Sequence, residues 1–420
     1  MWNTIKSISS LLLSYGVLML GNGMTGILLG LRSRLEGFST EITGFVMAGF
    51  FVGMLLGGLF AVRVIAGVGH IRAFAAFASV MSVAVLAHIL YIEPITWFVL
   101  RVVAGFCMAG MVMVVESWIN ERSTNKTRGQ VLSLYMITNY LAAGLGQFML
   151  LVGDPAQFQL FIIASMVFSF ALVPILLTRA SAPKPSSPQR MKFRELFAIS
   201  PVGVFGMICA GMANASLYGM GAVFAKEVGL SVVEVSTFMA AAILAGMFLQ
   251  FPVGRLSDIF DRRTVLMMAS LATGLAAFAV IWATTQSVEI LIIAAAIYGG
   301  FSFTIYPLAV SQVNDLADPD RLVQVAAGLL IAYGTGASFG PVIAAQSMAI
   351  FGPTGFFLFI IGINSVLIVF TIIRIIQRRS GEKAKAPFMP LGGAGASSKQ
   401  LYTAAVSSAE RVPGASSSNR

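Results

Sequence analysis

The stretch WFVLRVVAGFCMAGMVMVVESWINERSTNKTRGQ, residues 97–130, is apolar from Trp97 to Val115 except for Arg101, and Glu116 closes the run before a polar, basic segment. About 18 consecutive apolar residues suffice to cross a bilayer core as a helix. Runs of that length recur near residues 8–31, 41–65, 71–92, 96–117, 129–152, 157–178, 200–225, 233–256, 264–285, 289–313, 322–348 and 353–376. They predict an all-α membrane protein of twelve spans, because a transmembrane barrel would alternate with period two and these runs do not.

Composition agrees. The chain is 57% hydrophobic and 10% charged, with mean hydropathy +0.88, whereas a soluble domain carries about 25% charged residues. The 42 glycines are scattered through the spans, as where membrane helices approach closely through small residues. The formal charge of +10 sits on alternate connections: Arg63, Arg72, Arg122, Lys126, Arg128, Arg179, Lys184, Arg190, Arg255, Arg262, Arg263 and Arg321 fall on one side, while Arg32, Arg34 and Lys226 lie among acids on the other. This excess reports orientation, both termini cytoplasmic, and argues against a nucleic-acid partner. No cleavable signal is evident near Met1. Cys107 and Cys209 fall inside spans and no histidines cluster with them, so neither a disulfide nor a metal site is expected. The 22 methionines show no repeated spacing with histidine and read as packing or lipid-facing residues.

The polar, proline-bearing segment RASAPKPSSPQRMKFRELFAIS, residues 179–200, lies midway through the spans. The expected organisation is an N-terminal six-helix bundle over 1–178, a cytoplasmic linker over 179–199, a C-terminal six-helix bundle over 200–377 and a disordered cytoplasmic tail over 378–420. The halves read as repeats: Glu41, Phe45 and Gly53-Met54 match Glu234, Phe238 and Gly246-Met247 at an offset of 193, Gly146 matches Gly340 at 194, and Gly105-Phe106 matches Gly300-Phe301 at 195. Two parallel six-helix halves around a midplane site is a transporter design, in which the halves rock to give alternating access.

GRLSDIFDRR, residues 254–263, lies between the eighth and ninth spans. Gly254 allows close helix approach, Asp258 sits where a helix end meets water, and Arg262 and Arg263 are cations available to pair across the halves. This loop resembles the signature G-x-x-x-D-r-x-G-r-r of the major facilitator superfamily, with Asp261 where the second glycine is usual. Its repeat mate in the first half has lost the charges. R-x-x-x-G at Arg101 and Gly105 resembles the family's fourth-helix motif, found in many proton-coupled members. VVES (114–117), SLYG (216–219), FTIYP (303–307), FGP (339–341) and Gly146-Gln147 resemble most the bacterial YcaD-like branch.

The resemblance implies two pseudosymmetric bundles, and a gating charge network in which Glu116 and Arg128 join Gly254, Asp258, Arg262 and Arg263; the alternative for Glu116 is a solvated interfacial acid. Arg101 is fifteen residues from Glu116, about 22 Å along a helix, so the two do not pair. Arg101 either snorkels to the interface or faces the cavity, and its repeat mate Ala296 shows that the second half needs no cation there. The family's cavity is lined chiefly by the first, fourth, seventh and tenth spans. The candidates are Asn22, Arg101, the pair Asn214 and Tyr218, which share a face at i, i+4, then Tyr298, Ser302 and Tyr306 at i, i+4, i+8, and from neighbouring spans Gln147, Gln250 and Tyr333.

No Asp or Glu is expected deep within a span. That disfavours a multidrug-type exporter of lipophilic cations and weakens proton coupling, and it suits a small polar or anionic organic solute. Secondary transport across the bacterial cytoplasmic (inner) membrane is expected, by a monomer, with no cofactor and no phosphate-binding loop for ATP. Proton-coupled carrier and passive facilitator both stay open, as does, from another class, a non-transporting sensor or scaffold on a carrier fold. An enzyme is disfavoured, since the two histidines, His70 and His88, give no catalytic constellation.

Overall fold

The computed structural model describes residues 2–123, 127–177 and 191–377. Its order is α1 (Trp2–Leu35), α2 (Thr40–Val68), α3 (His70–Leu90), α4 (Pro94–Glu121), α5 (Arg128–Phe148), α6 (Gln159–Leu176), α7 (Phe193–Ile199), α8 (Pro201–Glu227), α9 (Val232–Ile259), α10 (Arg262–Ala283), α11 (Val288–Asn314), α12 (Leu322–Phe351) and α13 (Gly355–Gln377). Twelve of these are long and apolar enough to cross a membrane. The exception is α7, a short helix at the C-terminal edge of the expected linker; residues 178–190 of that region and the tail from 378 lie outside the described residues.

Local chemistry sets the helix ends, and it repeats. Gly37 and Gly229 both take positive φ, 81° and 95°. In each case the glycine N–H bonds back to the third residue before it, Arg34 or Lys226, and the next N–H reaches Ser33 or Ala225, the paired bonds of a Schellman termination. Two residues on, a serine opens the following helix: Ser39 accepts from Ile42 N–H, and Ser231 forms a full capping box with Glu234. Glu93 caps α4 ahead of Pro94, and the N–H groups of Thr96 and then Ile95 hold its carboxyl below the usual carboxylate range. Asp261 caps α10 by accepting from Arg263 N–H at 2.9 Å. The acid that replaces the usual glycine therefore has a structural task.

Packing follows the same repeat. In the first half α2 packs on α4, α1 on α5 and α6, and α3 on α4 and α6; in the second, α9 packs on α11, α8 on α12 and α13, and α10 on α11 and α13. Between halves α1 meets α8, while α2 meets α12 and α5 meets α9, two contacts that exchange under the pseudo-twofold. Glycine makes the closest approaches possible. A Cβ on Gly53 would overlap the Val102 carbonyl, and one on Gly105 the Phe50 carbonyl, so α2 and α4 touch backbone to backbone. Gly146 stands likewise against Leu20 O and its repeat mate Gly340 against Met212 O.

Gly105→Ala should therefore destabilise the fold by about 1–3 kcal/mol through overpacking. Gly362→Ala, whose Cβ would meet nothing within 4 Å, should stay within about 0.5 kcal/mol of wild type. Thermal unfolding of the purified proteins in detergent checks the pair; equal melting would show that the α2–α4 contact yields to a methyl group.

Candidate functional site

A two-lobed cavity lies along the junction of the halves. One lobe, about 40 Å³, is walled by Met19 and Asn22 of α1, Phe50, Phe51, Met54 and Leu55 of α2, Met108 of α4, and Leu330, Tyr333, Gly334 and Ala337 of α12. The other, about 20 Å³, shares Asn22, Phe50 and Phe51 and adds Gly23, Gly26, Ile27, Arg101, Gln147, Tyr218 and Met239. A water needs roughly 10–15 Å³ by this kind of measure, so each lobe holds a few waters at most.

Arg101 is 4% exposed and does not reach the surface. Its guanidinium carbon lies 4.4 Å from the centroid of the Phe50 ring, a cation–π arrangement that partly offsets desolvation. Among the described residues its Nε donates to no group, and no carboxylate forms an ion pair with it. Gly49 makes room: a Cβ there would meet Arg101 Cβ at 3.2 Å. Close by in the first bundle, His88 Nδ1 bonds Ala84 O at 2.7 Å, and Trp97 donates its indole N–H to His88 O at 3.0 Å.

Asn22, Arg101, Gln147, Tyr218 and Tyr333 thus come together at the cavity. The remaining candidates sit elsewhere in these contacts. Tyr298 is turned edge-on to Phe357 of α13, centroids 5.1 Å apart, and Ser302 is buried one turn along from it. Tyr306 packs edge-on to Tyr333 at 5.1 Å. Gln250 joins α9 to α5 across the halves by donating to the Tyr140 hydroxyl, and Asn214 is wholly buried in α8. The walls owe more to α2 and α12 than to the tenth span, α11, which contributes to neither lobe. Methionines that read as packing residues, Met19, Met54, Met108 and Met239, line the cavity.

Among the described residues, Glu116 and Arg262 each anchor a group of polar contacts. Glu116 is 3% exposed, not a solvated interfacial acid, because α4 continues to Glu121 and Tyr135 of α5 donates to Glu116 Oε1 at 2.7 Å. Tyr15 of α1 stacks on Tyr135, centroids 4.3 Å apart, and bonds Asn139 at 2.7 Å. In the second half Arg262, 2% exposed, reaches Asp315 at 2.5 Å, Ser257 at 3.0 Å and Asp258 at 3.4 Å. It thereby ties the α9–α10 turn to the end of α11. Arg263 pairs with Asp261 at 3.1 Å, and Gly254 is buried with its carbonyl bonded by Ser257. The Arg128 side chain lies outside the described residues. At the opposite end of the molecule Arg34 of α1 and Glu227 of α8 pair across the halves at 3.3 Å, and Thr40 donates to the same carboxylate at 3.1 Å. Of these last residues the sequence singled out only Arg34, and only for orientation.

The Major Facilitator Superfamily model matches residues 11–248 and again 203–410. The MFS-type transporter YcaD of Escherichia fergusonii is 27% identical over 276 residues, 65% of this chain and 71% of that protein. Among solved structures the nucleoside transporter NupG superposes with a TM-score of 0.70 at 14% identity, over 86% of this chain and 98% of that one. A D-xylose-proton symporter gives 0.67 at 14% identity, over 93% and 100%.

Removing one partner of a buried pair strands the other charge and costs roughly 3–5 kcal/mol, whereas an exposed pair contributes about 0.2–1 kcal/mol. Asp315→Asn should accordingly lower stability far more than Asp258→Asn, since the Asp315 side chain is 12% exposed and that of Asp258 36%. Chemical unfolding of both variants decides it, and equal losses would contradict the ranking.

Proposed function

The chain belongs to the major facilitator superfamily and is a non-enzymatic, multi-pass membrane transporter; from this premise we propose that it moves a small polar or anionic organic solute by alternating access, with Arg101 as the fixed cation of the solute cavity. One observation carries the reading: a buried arginine, without a carboxylate partner among the described residues, lines a cavity at the junction of two halves. A buried cation is costly unless something completes it, and an ionisable residue inside a membrane protein is a functional-site hypothesis by default. The Arg34–Glu227 pair and the Arg262 cluster lie at opposite ends of this cavity and act as the outer and inner elements of the gate. The proposed bundles are residues 1–178 and 200–377, joined by the linker 179–199, in the bacterial inner membrane with both termini cytoplasmic.

A thermal-shift panel of carboxylates and matched neutral solutes on purified protein tests the cation. A ligand that binds only the native state raises its stability by mass action. Arg101→Lys keeps the charge without the planar fork and should retain weakened binding of any carboxylate hit. Arg101→Gln should lose about 30-fold or more, as expected for removal of a charged partner from a desolvated site at roughly 2–5 kcal/mol. Unchanged binding by a folded Arg101→Gln protein would leave the arginine a packing residue. The buried Glu116–Tyr135 bond supports proton coupling over passive facilitation, and uptake of the same hit into proteoliposomes with and without an imposed pH gradient separates the two.

Orientation has its own check. With Cys107 and Cys209 buried, Ser186→Cys should react with an impermeant maleimide only from the cytoplasm and Gln286→Cys only from outside. The reverse pattern would invert the assignment of inner and outer gates.

A further inference from the structure

Arg101 and Gln147 present complementary needs to one lobe. They are 4% and 1% exposed, and both line the smaller lobe. Gln147 Nε2 donates to the Ala143 carbonyl at 3.0 Å, one turn back. That bond sets the amide's orientation, because the flipped amide would oppose two oxygens. Among the described residues, Gln147 Oε1 is then an acceptor that receives no hydrogen bond, just as Arg101 Nε is a donor that gives none. Buried polar atoms are nearly always paired. A donor and an acceptor left open together describe the ligand that closes them.

The guanidinium calls for a carboxylate, which it holds through two parallel N–H groups, Nε among them. The Gln147 oxygen calls for a donor on the same molecule. That donor is uncharged: among the described residues no carboxylate lines either lobe, so an ammonium would add a second cation beside Arg101 with nothing to balance it. The adjoining lobe, with Met19, Phe51, Met54 and Met108, offers sulfur and ring faces that suit an apolar, preferably aromatic body. Resting on the cavity reading above, we propose that the solute class is hydroxycarboxylates with an apolar body: carboxylate on Arg101, hydroxyl donating to Gln147 Oε1, hydrocarbon toward the methionines. The lobes as they stand are too small for such a molecule, so it enters as the halves part.

Three probes sharing a phenyl body separate the parts: mandelate, phenylacetate, which lacks the hydroxyl, and mandelamide, which lacks the charge. Calorimetry on the purified full chain in detergent should rank mandelate first. Phenylacetate should bind about 3- to 10-fold more weakly, as for one neutral hydrogen bond, and mandelamide about 30-fold or more weakly. Gln147→Met should bring mandelate and phenylacetate within about twofold of each other while both still outrank mandelamide. Arg101→Gln should level mandelate and mandelamide. If mandelate and phenylacetate bind wild type alike, or if Gln147→Met preserves their ratio, the hydroxyl contact is overturned and the arginine reading stands. Carboxylates that bind Arg101→Gln as well as wild type overturn both. Binding of none of the three overturns the solute class and leaves the arginine to the broader panel. The wild-type ranking needs no variant, so the test holds even where Gln147→Met fails to fold.

Discussion

Everything in this molecule depends on pairing backbone polar groups where no water is available to pair them. A spanning segment in hydrocarbon must satisfy its N–H and C=O groups within itself, so each of the twelve apolar runs closes its backbone bonds as a helix. What then distinguishes one arrangement of helices from another is not burial of oily surface, since lipid is as apolar as leucine, but how closely backbones approach. Here glycine decides. Gly53 against Val102 and Gly105 against Phe50 bring α2 and α4 into direct backbone contact, and α4 carries both Arg101 and Glu116. The same contact presents Phe50 to the guanidinium.

Much of this architecture was legible in the sequence, because hydropathy is local and needs only near neighbours in the chain, and because the repeat offset needs only the two halves laid side by side. The Ser39 and Ser231 helix starts, equally local in their chemistry, emerge only with the structure. The site was legible where a polar residue stood out against apolar surroundings: Asn22, Arg101, Gln147, Tyr218 and Tyr333 all reach the cavity. It was illegible where the wall is itself apolar. Phe50, Phe51 and Met54 differ in no sequence property from lipid-facing neighbours, and the approach of α12 to α2, which makes them a wall, is purely tertiary. Glu116 shows the other kind of limit. Position along the helix placed it near a membrane surface, but its burial is lateral, under Tyr135 from the next helix. Tyr298 shows the converse: a tyrosine on a cavity-type spacing turns its ring to Phe357 instead.

The molecule sets a symmetric scaffold against an asymmetric site. Each helix contact in the first half has its counterpart in the second, down to the Schellman turns at Gly37 and Gly229 and the glycine contacts at Gly146 and Gly340. A pseudo-twofold arrangement gives two related ways of closing, one at each end, which is what alternating access requires. If the chemistry were equally symmetric, the cavity would hold two cations, and mutual repulsion in a desolvated space would keep it open. Ala296 at the repeat position of Arg101 removes that conflict. The C-terminal half keeps its buried cation, Arg262, in the turn between α9 and α10, where Asp315 and Asp258 balance it. One half thus places its buried cation where ligand chemistry can complete it, and the other where its own carboxylates do. That division leaves Arg101, among the described residues, without a carboxylate in the cavity proposed to take the solute.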